Sequence, residues 1–63
     1  MKRYTREFVK DNIKRANEWY TGNRDELKKA IIAAEKYLTL CERGLLTDWE
    51  CIDIVHGLLW GSH

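Results

Sequence analysis

An all-α fold, a small three-helix up-down-up bundle, is predicted by three features of the sequence. Apolar residues recur at helical spacing in three stretches, glycines punctuate the ends of those stretches, and capping patterns open two of them, at Asn23 and Thr47. No segment alternates long enough to suggest a strand. Proline is absent and only four glycines occur among 63 residues, which leaves little material for linkers, so residues 1–63 read as a single helical domain. A chain of this size hides only about 60% of the surface its unfolded form exposes. Its stability is expected to be thin enough that dimerisation or a partner would add to it.

Helix 1 is predicted over 6–20, with Thr5 as N-cap, an apolar side made by Phe8, Val9, Ile13, Ala16, Trp19 and Tyr20, and Gly22 as the left-handed stop. Its apolar arc is about 140° wide, and Asn12 is the one polar residue inside it. Helix 2 is predicted over 24–43. Asn23 is its N-cap, Glu26 stands where it can reach back to the cap, and Gly44 ends it. Leu27, Ile31, Ala34, Leu38 and Cys41 form its seam, widened by Ala30, Ala33, Tyr37 and Leu40, while Ile32 stands alone among polar neighbours.

Helix 3, over 48–60, carries the strongest start signal. Thr47 and Glu50 have capping-box spacing, Leu46 and Cys51 stand at the two positions of a hydrophobic staple, and Gly61 follows the last turn. On a helical wheel only Glu50, Asp53 and Gly57 interrupt its apolar circumference, over a gap of about 60°. Two neighbouring helices can cover Cys51, Ile52, Val55, Leu58 and Leu59. The stripe of Trp49, Asp53, His56 and Trp60, at i, i+4, i+7 and i+11, is left without an internal partner. Tryptophan anchors around polar groups have the composition of binding hot spots, so these four residues are the candidate protein-binding set, with Trp49 and Trp60 as anchors.

Charge adds a constraint on topology. The net charge is only +1, so no overall field draws the chain to nucleic acid or to an anionic membrane. Residues 1–15 nevertheless hold six Lys/Arg against two acids, and residues 44–63 hold three acids and no Lys/Arg. In an up-down-up bundle helices 1 and 3 are parallel neighbours, which sets the basic head beside the acidic tail. The alternative use of the head is nucleic-acid binding through Arg3, Arg6, Lys10, Lys14 and Arg15, with Tyr4 as a stacking platform. A helix-turn-helix reading is opposed by helix 3, which has no Lys or Arg to place in a groove.

Other chemistry finds little support. Cys41, Cys51, His56 and His63 lack the close ligand pairs of structural zinc sites. Cys51 and His56 project about 140° apart on a helix, which does not make a nucleophile and its base. No glycine-rich phosphate loop is present, and a bundle this small is not expected to enclose a small-molecule pocket. No catalytic, cofactor or metal set is therefore assigned, and no enzyme activity is expected. The two cysteines read as buried core. A disulfide between them across the hairpin is conceivable, although the expected compartment, the cytoplasm, disfavours a stable one. No apolar stretch has the length of a membrane span, and the basic start lacks the apolar segment of a signal peptide.

The segment ERGLLTDWECI, residues 42–52, resembles the start of the short C-terminal helical-hairpin domains found at the ends of many bacterial proteins. Gly44, two aliphatics, Thr47 and Glu50 stand in matching places. The pattern departs at Cys51, where those domains have a large aromatic, and at IDIVHGLLW, where a charged amphipathic helix should follow. No function is carried over. The expected role is that of a small stand-alone regulator or inhibitor, of the size carried by phages and other mobile elements, which binds another protein or itself through the aromatic side of helix 3.

Overall fold

The computed structural model describes residues 1–61. Three helices pack pairwise into an all-α bundle: α1 (Arg3–Trp19), α2 (Arg24–Glu42) and α3 (Asp48–Trp60). Their shared core is built from Val9 and Ala16 of α1, Leu27, Ala34, Leu38 and Cys41 of α2, and Cys51, Val55 and Leu59 of α3. Phe8, Ile13, Tyr20, Ala30, Ile31, Tyr37 and Leu46 pack around it. Leu58, expected inside, lies at the margin and is 37% exposed. Ile32, alone on the polar side of α2, is exposed as its position on the wheel requires.

The two connections end their helices differently. At the end of α2 the Gly44 amide donates to the Cys41 carbonyl and the Leu45 amide to the Leu40 carbonyl, both at 3.0 Å. This is a Schellman motif, and Gly44 supplies the left-handed residue it needs, with φ 79°. Gly22 does not play that part after α1. The chain leaves α1 through Tyr20 in extended backbone, with the Tyr20 amide donating to the Ala16 carbonyl. The Tyr20 ring then folds over Gly22, so that a Cβ at Gly22 would stand 2.8 Å from ring atoms. The contact is with the outer end of a side chain that can swing aside, and no positive φ is required at Gly22.

The N-termini also differ. Asn23 caps α2 by accepting from the Asp25 amide at 2.8 Å, while Glu26 remains exposed and the cap is one-sided. Thr47 and Glu50 form the full capping box of α3, with the Glu50 amide donating to the Thr47 hydroxyl and the Thr47 amide to the Glu50 carboxylate, each at 3.1 Å. Thr5 is not the cap of α1. The helix begins earlier, after Lys2, which has no side-chain cap of its own.

Thr5 instead sits fully buried inside the first turns of α1 and donates its hydroxyl to the Asp48 carboxylate. The same carboxylate oxygen accepts from the Lys2 amide at 2.9 Å. Asp48 is the first residue of α3, so one carboxylate lies at the positive ends of two parallel helices, where the aligned peptide dipoles favour negative charge. The side-by-side placement of basic head and acidic tail is thus realised through a hydrogen-bonded carboxylate. The ion pairs of α1 lie elsewhere: Arg3–Glu7 and Arg15–Asp11 along the helix, and Arg6–Glu42 to α2.

The Thr5 hydroxyl, then the Lys2 amide, hold the Asp48 carboxyl below its ordinary pKa of 3.8, helped by the positive charges of the N-terminus and Lys2. A carboxylate with a depressed folded-state pKa contributes stability that is complete above the unfolded value and lost as pH falls through the folded one. The difference in melting temperature between wild type and Asp48→Asn is therefore expected to be present at neutral pH and to close as pH falls below 3.8. A difference that stays constant down to about pH 2 would refute this role for the charge. At Gly44 no atom lies within 4 Å of an added Cβ, so Gly44→Ala meets only the backbone strain of a positive φ. It should cost about 1 kcal/mol, seen as a lower urea midpoint with unchanged slope.

Candidate protein-binding face

The parallel register of α1 and α3 is pinned at two places. Asp48 holds the N-terminal end, and at the other end the Trp60 indole N–H donates to the Asn12 side-chain oxygen at 2.9 Å. Asn12 in turn donates its amide to the Phe8 carbonyl at 2.8 Å, which fixes the orientation of the acceptor. The polar interruption in the apolar arc of α1 is thereby explained. Asn12 is the partner of a tryptophan 48 residues away.

At and beyond the second pin α1 and α3 leave an open cleft of about 590 Å³ lined by Asn12, Arg15, Glu18, Trp19, His56 and Trp60. A second concavity of about 560 Å³ lies toward the end of the bundle, between the α1–α2 connection and the last turn of α3, and Trp19 and Trp60 border both. The concave space is thus on the surface, between elements. The core itself is filled by the small and branched side chains named above.

Each residue expected at the site can now be placed. His56 and Trp60 line the cleft, and both are exposed, Trp60 to 39%. Trp49 is 75% exposed, and its spacing of seven and eleven residues from His56 and Trp60 puts it on the same side of α3. Asp53 is exposed at the outer edge of that stripe. Of the two expected anchors Trp60 is the less exposed, and its N–H is already committed to Asn12.

Sequence reasoning missed Trp19. Helical spacing assigns it to the apolar side of α1, yet it is 73% exposed and forms one wall of the cleft. On the wheel it lies about 60° from Ala16, at the edge of the arc, and it is the last residue of α1, beyond reach of further cover. Its neighbours Arg15 and Glu18 were the available signal.

The residues of the nucleic-acid alternative are distributed differently. Arg3, Arg6 and Arg15 are held in ion pairs with Glu7, Glu42 and Asp11. Lys10 and Lys14 are exposed. Tyr4 is 54% exposed with the Lys2 ammonium 6.0 Å from its ring centre. Among the described residues no three His, Cys, Asp or Glu side chains are grouped to hold a metal ion, and His63 lies outside them. No helix among them is long and apolar enough to cross a membrane.

No protein-family model matches the chain, and no match is found among curated proteins or among solved structures.

Removal of the Asn12 side chain tests the second pin. Asn12→Ala should lower stability by about 1 kcal/mol, the usual worth of one such hydrogen bond. It should also speed solvent exchange of the Trp60 indole N–H in NMR spectra while the Trp19 and Trp49 indole signals stay unchanged. Equal changes at all three indoles would mean that the substitution disturbs the bundle as a whole.

Proposed function

We propose that the protein is a small protein-binding regulator or inhibitor that docks its partner along the aromatic α1/α3 face. The observation that supports this reading is the exposure of Trp19 at 73%, across the cleft from the half-covered Trp60, and of Trp49 at 75% further along the same stripe of α3. Exposed tryptophans are costly to leave in water, and a contiguous apolar patch on a small domain marks an interaction surface. Trp19 and Trp49 are the anchors. Trp60, fixed by Asn12, is a preformed wall opposite Trp19, and His56 and Asp53, between Trp49 and Trp60 on α3, are the polar groups that orient the partner.

Self-association through the same face is the second form of this reading, and it is separable by mass. Nucleic-acid binding has less behind it, since three of its five basic residues, Arg3, Arg6 and Arg15, each have a carboxylate partner within 3.6 Å.

Trp49→Ala and Trp19→Ala are the informative variants, because exposed side chains can be removed with little effect on the melting temperature. Capture of a partner from the source cell by the wild-type protein should fall on the order of 30-fold with either variant, as for a hot-spot anchor worth about 2 kcal/mol. A sedimentation mass that rises with concentration, and does so less in Trp49→Ala, assigns the face to a second copy. Retention that is indifferent to both tryptophans but collapses with added salt would overturn the reading in favour of a polyanion.

A further inference from the structure

Cys41 and Cys51 are both buried and both unbridged, and they belong to one core cluster. Cys41 stands in the last turn of α2 and Cys51 in the first turns of α3, on either side of the Gly44 turn. The Cys51 sulfur lies 3.8 Å from the Tyr37 carbonyl. Tyr37 is four residues before Cys41, so within α2 that carbonyl faces the Cys41 amide. The Cys51 side chain is thus laid against the turn of α2 that ends in Cys41. Two thiols packed across a tight hairpin can be joined by oxidation, and among the described residues no group of three metal-binding side chains competes for them.

We infer that Cys41 and Cys51 form a reversible redox pair, which a peroxide converts to an intramolecular disulfide that clamps the end of α2 to the start of α3. In the first step one thiolate attacks a peroxide oxygen and the O–O bond breaks. The hydroxide that leaves takes up the thiol proton as water, and a sulfenic acid remains. In the second step the other sulfur attacks the sulfenic sulfur, the S–O bond breaks, and a second water leaves. The two thiols lose two electrons and two protons, and hydrogen peroxide becomes two molecules of water.

The surroundings make the pair slow and selective. Burial first, and the neighbouring Cys41 second, push the Cys51 thiol up to about 11, so little thiolate exists there at neutral pH. Both side chains are almost wholly covered, which favours a small oxidant over a bulky disulfide reagent. Once formed, the bridge closes a short loop that contains Gly44 and the Thr47 capping box. By constraining the unfolded chain it should raise the melting temperature on the order of 10 °C. In a reducing compartment such a bond is transient, as regulatory disulfides are.

The test uses the full chain treated with hydrogen peroxide under native conditions, then denatured with an alkylating agent and weighed. The expected product is a monomer lighter by two hydrogens that takes up no alkyl group, yields a Cys41–Cys51 linked peptide, melts higher, and returns to the starting mass and melting point with dithiothreitol. Cys41→Ala and Cys51→Ala should each abolish the melting shift, and the linked peptide decides the matter if either variant fails to fold. The inference is overturned if both thiols remain open to alkylation while Met1 is oxidised, if they advance to sulfinic acids, or if bridges join separate chains.

Discussion

The arrangement of the bundle depends on a single carboxylate. Asp48 opens α3, and it also accepts from the Lys2 amide and the Thr5 hydroxyl at the start of α1. In a local capping box the acceptor for the N-cap amide comes three residues later in the same helix. Here it comes from the helix next door. The interaction satisfies a backbone donor that α1 cannot satisfy with its own side chains, and it neutralises the positive ends of two dipoles with one charge. It also sets the register of the parallel pair, and through that register Asn12 meets Trp60 and the cleft takes its shape.

How much of this was legible in the sequence follows from the distance over which each signal acts. The Thr47–Glu50 box and the Gly44 stop involve neighbours in the chain, and both formed as read. Thr5 and Gly22 are residue types with strong local preferences, the one for a cap and the other for a left-handed stop. Each is instead committed to a contact that local preference does not encode: Thr5 to a carboxylate 43 residues away, Gly22 to the ring of Tyr20. A buried threonine within an amphipathic helix has to satisfy its hydroxyl somewhere. That requirement was visible, but the identity of its partner was not.

The candidate face shows the same division. The stripe of Trp49, His56 and Trp60 could be drawn from helical spacing alone, because it lies within one helix. Its other wall, Trp19, belongs to α1 and joins the stripe only when the two helices are set parallel at the observed register. Asn12 looked like a defect in an apolar arc until its partner was found. A polar residue inside such an arc and an indole with a donor to satisfy are complementary signals, and their pairing locates the α1/α3 seam.

The core itself explains why tryptophans end up on the surface. The largest fully buried side chains are Val9, Val55, Thr5 and Cys51, and Ala16 and Ala34 are buried beside them. Small residues at the seams let helix axes approach closely, and Leu27, Leu38 and Leu59 fill the rest of the interior. The bundle therefore does not rely on a tryptophan for its core: Trp60 lies against its edge, and Trp19 and Trp49 project from it. Trp19 and Trp49 can then be changed without unfolding the protein. The core that excludes these rings is also what packs the Cys41 and Cys51 side chains into one cluster, where larger residues would have held the two helices, and the two sulfurs, apart.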